Sequence, residues 1–208
     1  MTEEEKDNRK VLERLIMFND AVYAIALTLL VLELKLPEGV SAKNPSDMVH
    51  HLEDMTPRFM AFLLSAILVG GNWISSINIQ QTLSRANNSL KIEMVIYLII
   101  ISLMPFCCNL IGTYPDNPTS YVTFGIVNLL LNINGVFFLR DCRVNNLYHA
   151  DTDMVEIAKL EKVAPLISIF IIAIAASAYY STQLSFTLFL LYNLVPVFAS
   201  RSLKINHE

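Results

Sequence analysis

The sequence predicts an all-α, polytopic membrane protein: one domain over residues 1–208, built of six transmembrane helices. Three observations predict it. Of 208 residues, 54% are hydrophobic and only 16% are charged, against about 25% charged in soluble domains. The charges are clustered, so apolar stretches long enough to cross roughly 30 Å of hydrocarbon alternate with short polar ones. With six crossings, twelve of the 15 Lys and Arg residues fall on one side, the asymmetry expected of a cytoplasmic face.

The opening MTEEEKDNRKVLER is charged throughout and carries no small-residue cleavage site, so no cleaved signal peptide is expected. The first span is placed at 15–35, with Arg14 at its near edge and Glu33 and Lys35 at its far edge. A polar, extracytoplasmic loop follows at 36–57, with Pro37, Gly39, Pro45 and Pro57. The second span is placed at 58–79. The third, at 92–112, contains Met104-Pro105-Phe106, read as its ending. The fourth lies at 119–139. A cytoplasmic loop at 140–162 has a second half suited to an amphipathic surface helix. The last two spans, 163–182 and 184–200, are divided only by Ser181-Thr182-Gln183. One broken or re-entrant hairpin is the alternative there; Pro196 and Arg201 favour two crossings by marking an exit.

This topology gathers Lys6, Arg9, Lys10, Arg14, Arg85, Lys91, Arg140, Arg143, Lys159, Lys162, Arg201 and Lys204 beside both termini, and leaves Lys35, Lys43 and Arg58 opposite. The expected location is a cell membrane with cytoplasmic termini. Cys107, Cys108 and Cys142 are an odd set without metal-ligand spacing and read as buried thiols. No cofactor, resident metal or nucleic-acid partner is expected.

Charge inside a span is costly and usually functional. Asp20 is the deepest acid, one to two turns inside the first span, with Asn19 beside it. At about 100° per residue, Ile25, Leu29 and Leu32 fall within roughly 60° of one another, and Asp20 points about 140° from Ile25. Phe18 lies on the Ile25 side and Thr28 borders the stripe. Asp20 therefore looks back into the bundle if the Ile25 face does not, where it can accept bonds from polar groups such as the Trp73 indole. Periodicity leaves the stripe open as a packing seam or a pore face.

The segment Arg14-Leu15-Ile16-Met17-Phe18-Asn19-Asp20, followed by AVYAIALTLLVLELKLP, resembles the signature of the transmembrane protein 175 family of potassium channels, R-x-x-x-F-S-D at the start of the first helix. Arg14, Phe18 and Asp20 match. Asn19 stands where the family usually has serine. Met104-Pro105-Phe106 and Trp73 are also similar, whereas Ser75 and Ser76 occupy the stretch where a histidine often follows the tryptophan. The resemblance is strong over the first span and mainly topological elsewhere.

It implies a homotetramer, because the hallmark occurs once, with four first helices ringing a potassium pathway through the lipid bilayer. Family pore positions map onto Ile25, Leu29 and Leu32 as hydrophobic constrictions. Thr28 would add a hydroxyl layer for selectivity, and Arg14, Phe18, Asn19 and Asp20 would hold the helix. The channel implied is leak-type and weakly selective over sodium, since no TVGYG-like filter run is present and apolar rings cannot replace a hydration shell.

Rival readings are a proton-coupled cation carrier using Asp20, an intramembrane enzyme and a non-conducting scaffold subunit. His50, His51, His149 and His207 all fall outside the spans, no lysine lies mid-span, and only Asp20 and Glu93 could titrate in the membrane. A proton relay or a Ser-His or paired-Asp site lacks stations at that depth.

Overall fold

The computed structural model describes residues 3–36 and 44–205, with side chains over 7–36, 44 and 46–195. Pro37, Gly39, Lys43 and His207, and the side chains of Lys6, Pro45, Pro196, Arg201 and Lys204, lie outside the described residues. The chain is an all-α membrane protein of eight helices among the described residues: α1 (Glu3–Val31), α2 (Pro45–Asp54), α3 (Thr56–Gln80), α4 (Asn88–Ile101), α5 (Met104–Thr113), α6 (Pro118–Val144), α7 (Met154–Ser177) and α8 (Thr182–Ile205). Five helical stretches are long and apolar enough to span a bilayer: Asp7–Val31, Thr56–Gln80, Asn88–Thr113, Pro118–Val144 and Met154–Ser177. Thr182–Val195 is a shorter apolar helix.

Several expected boundaries move. The first span begins well before residue 15 and its helix closes at Val31, so Leu32 sits in the turn beyond, where its N–H donates to the Leu29 carbonyl. The 36–57 loop contains α2. The third span is broken at Ser102 and Leu103, and Met104-Pro105-Phe106 opens α5 instead of ending the span. The cause is Pro105, which has no N–H to continue α4 but fits the first turn of a new helix. The 140–162 loop shrinks from both sides, because α6 runs to Val144 and α7 begins at Met154. Charged side chains ended the apolar stretches there, but helical backbone bonding continues past them. The expected amphipathic surface helix is instead the first turns of α7.

Helix starts are set by local chemistry. Asn87 caps α4 by accepting the Leu90 N–H at 2.8 Å, Asn117 caps α6 by accepting that of Thr119 at 2.9 Å, and Asp153 caps α7 by accepting that of Val155 at 2.9 Å. These side chains satisfy donors that the first turn leaves free. At the end of α6, Leu147 N–H returns to the Cys142 carbonyl at 2.9 Å and Asn146 adopts a left-handed φ of 52°. This is a Schellman closure with Asn in the position that favours such a φ.

The main core lies between α1, α3, α4, α5, α6, α7 and α8, around Tyr23, Leu64, Leu68, Ile101, Met104, Phe124, Ile171 and Phe189. Phe124 and Phe189 meet edge-on at 5.1 Å, and Gly125 lets α6 approach Ala175 of α7 closely. The three cysteines are buried and unpaired. A second, smaller cluster of Leu12, Leu83, Ala86, Leu90, Met94, Cys142 and Leu147 lies at the end where α1 begins. There the α3–α4 and α6–α7 connectors join in an antiparallel bridge between Leu83 and Tyr148. Ser84 N–H donates to the Leu147 carbonyl and His149 N–H to the Thr82 carbonyl, each at 2.8 Å. Burial holds the Tyr148 phenol above its ordinary pKa, so it stays protonated and donates to the Leu139 carbonyl at 3.2 Å.

At the opposite end, Asn109 donates to the Glu33 carboxylate at 2.6 Å and Arg58 to the Lys35 carbonyl at 2.7 Å. The far edge of α1 is therefore tied down, with Glu33 and Lys35 both engaged beyond the helix.

Candidate functional site

The first helix has two unlike faces. Leu12, Asn19, Tyr23, Ala26 and Leu30 recur at helical spacing and are buried against the rest of the chain. The opposite face is open. Ile25 is 57% exposed, Leu29 42% and Leu32 57%, and Phe18, Ala21, Ala24 and Thr28 are exposed with them. The Ile25–Leu32 stripe is thus no packing seam within one chain. Ile25 and Leu29 are one turn apart, about 6 Å along the axis, and Leu32 follows in the closing turn.

Thr28 is the polar side chain within this stripe. Its hydroxyl donates to the Ile25 carbonyl of its own helix at 2.9 Å. With the proton committed inward, the oxygen keeps lone pairs for the open side. No carboxylate lies on the helix between Asp20 and the closing turn at Glu33, so any charge crossing this face would meet only apolar groups and the Thr28 oxygen.

The signature residues are positioned by a polar seam between α1 and α3. Trp73 Nε1–H donates to Asp20 Oδ1 at 2.9 Å. Asn19, 2% exposed, donates from Nδ2 to Ser76 Oγ at 3.3 Å, and Ser76 in turn donates to the Trp73 carbonyl at 2.8 Å. The side chain that replaces serine on α1 thus meets a hydroxyl on α3, in the stretch where the histidine is missing. Phe18 points to the open side, and Arg14 is exposed near the start of the span.

A further chain of bonds was not anticipated from the sequence. Tyr23, 1% exposed, donates to Tyr97 of α4 at 3.3 Å, and Tyr97 donates to Asn72 Oδ1 at 2.8 Å. The available signal was the set of neutral polar residues inside spans, which a search for charge passes over. Among the described residues, no group of three or more His, Cys, Asp or Glu is placed to hold a metal ion.

Comparisons with known proteins converge on one family. A family model described as "Endosomal/lysosomal potassium channel TMEM175" matches residues 14–105. A potassium channel of Chryseobacterium sp. (strain P1-3) is 36% identical over 116 residues, 55% of this chain and 57% of that one. A potassium channel of Chamaesiphon minutus is 28% identical over 113 residues, 54% of this chain and 55% of that one. A relative from Danio rerio, named as the endosomal/lysosomal proton channel TMEM175, is 22% identical over 141 residues, 62% of this chain and 26% of that one. The match spans a little over half the length of the prokaryotic relatives. In three dimensions the fold is similar to the crystal structure of a lysosomal potassium-selective channel TMEM175 homolog from Chamaesiphon minutus. The TM-score is 0.79 at 23% identity, over 92% of this chain and 98% of that one.

Proposed function

We propose that this chain, a TMEM175-family protein by residues 14–105, is one subunit of a homotetrameric, leak-type potassium channel whose pore is lined by α1. The observation that carries the reading is the open stripe of Ile25, Leu29 and Leu32 on a helix whose other face is packed and hydrogen-bonded to α3. Four such stripes around an axis make stacked apolar rings. Narrow apolar rings expel water and shut the path, and a modest dilation re-wets it.

Thr28 supplies the one layer of oxygen within these rings, which supports a preference for potassium that stays weak. Asp20, Asn19 and Trp73 hold the helix from behind, and Arg14 and Phe18 complete the signature at its cytoplasmic start. α8 serves as the sixth crossing, with α7 and α8 joined by the tight turn after Ser177. Arg9, Lys10, Arg14, Arg85, Lys91, Arg140, Arg143, Lys159 and Lys162 all lie toward the end where α1 begins, and support cytoplasmic termini in a cell membrane.

A proton path through the same pore is the second reading, favoured by the printed name of the Danio rerio relative. Reconstitution into planar bilayers tests both. Under bi-ionic conditions the current should reverse at a potential displaced toward potassium, and a pH gradient alone should drive little of it. Reversal that follows only the proton gradient supports the second reading, and silence in well-assembled protein refutes the channel. Images of the purified particle should have fourfold symmetry with residues 25–32 on the axis.

A further inference from the structure

Behind α1, each subunit contains a cavity of about 250 Å³ between α1, α3, α4, α6, α7 and α8. The geometry points to this cavity as a binding site for a small neutral amphiphile that carries a hydroxyl donor, an alcohol or a phenol. The inference rests on the cavity alone and does not require the pore reading.

The walls are of two kinds, and no lining residue is charged. One wall is amide- and hydroxyl-rich, with Asn19, Gln80, Asn128 and Asn193 each at least nine-tenths buried. The other is aliphatic and aromatic, including Leu131, Phe138 and Ile167. An ion would enter without a counter-charge, which costs several kcal/mol or more. A pure hydrocarbon would leave the amides dry. Water alone would wet the apolar wall. A molecule with an apolar body and one polar end fits both surfaces. The size is suitable: roughly 150 Å³ holds a benzene ring.

The polarity of that end follows from the bonds already made. Asn128 and Asn193 donate their Nδ2 groups to carbonyls of their own helices at 3.1 and 2.9 Å, so each keeps its Oδ1 as an acceptor. Neither oxygen accepts a bond from the protein. An acceptor left without a donor is costly, and a ligand O–H can bond these two oxygens, which an ether or ketone cannot. Entry is beside Leu160, the exposed member of the lining at the start of α7.

Gly135 gives the site a test of its own. It lines the cavity, and a Cβ placed on it meets nothing within 4 Å. A side chain there grows into the cavity, and removing a mid-helix glycine favours the helix. Gly135→Leu therefore puts a side chain into the site at a position with room for it.

The experiment is photolabelling of the full chain in lipid nanodiscs with a diazirine-bearing octanol, read by mass spectrometry of labelled residues. Label should saturate and fall on cavity residues such as Ile79, Phe138 and Leu160. Phenol should compete at least ten times better than anisole, which has the same ring without the donor, and Gly135→Leu should cut labelling at least tenfold with unchanged helical circular dichroism. Should that variant fail to fold, Asn193→Leu serves, and should bring phenol down toward anisole. Label confined to lipid-facing residues, undiminished by a folded Gly135→Leu, or displaced equally by phenol and anisole overturns the assignment. None of these readouts depends on current.

Discussion

The bond between Trp73 and Asp20 is expected to hold α1 in place without contributing to ion preference, and a double-mutant cycle measures this directly. The perturbations are Asp20→Ala, Trp73→Phe and the pair. The bond is 2.9 Å long with a carboxylate acceptor, and bonds to charged groups contribute about 1.5–3 kcal/mol in water-soluble proteins. Trp73 is 38% exposed and Asp20 half-buried, and interhelical bonds in membranes average only about 0.6 kcal/mol, reaching about 1.7. The charge pushes toward the upper end, so a coupling of about 1–1.7 kcal/mol is expected. Unfolding should be followed by far-ultraviolet circular dichroism, because Trp73 is the single tryptophan and its loss removes the fluorescence. The potassium-to-sodium permeability ratio of Trp73→Phe should match that of the parent. A coupling below about 0.3 kcal/mol, the ordinary error of additivity, would show the bond to be idle, and an altered ratio would show that Asp20 faces the ions.

Three further outcomes are expected. On the proposed reading, Ile25→Asn sets a polar ring at the first constriction and should raise basal conductance by about tenfold or more, the effect of roughly 1.4 kcal/mol removed from the wetting barrier; an unchanged basal current would count against it. On the same reading, Thr28→Ala removes the oxygen layer and should lower a preference for potassium over sodium, and equal bi-ionic reversal potentials before and after would take Thr28 out of the account. Gly125→Ala puts a methyl 2.6 Å from the Ala175 methyl, and such overpacking should destabilise the α6–α7 contact by about 1–3 kcal/mol, seen as a lower unfolding midpoint; an unchanged midpoint would mean that the helices part freely.

Much of the architecture was legible because the bilayer imposes it. An apolar run such as that of α3 has to be helical, since no water satisfies its backbone. The two-faced character of α1 was equally readable from periodicity, although periodicity alone could not say whether the Ile25 stripe was buried. The break in the third span was signalled by Pro105 but read as an end, because a proline opens a helix as readily as it closes one. Arg140 and Arg143 end the apolar run and so mark a loop in the sequence, although they continue α6. The polar cavity was illegible for a different reason. Asn19, Gln80, Asn128 and Asn193 come from four helices, and nothing in their sequence spacing brings them together. Each looked like an isolated polar residue in an apolar run until the packing assembled them.

The bridge between Leu83 and Tyr148 restricts how the chain can deform. Two helical hairpins clasped at their bends cannot slide lengthwise past each other, but they can splay like the blades of scissors. The pivot lies beside the beginning of α1, near Leu12, so the two hairpins move least against each other there.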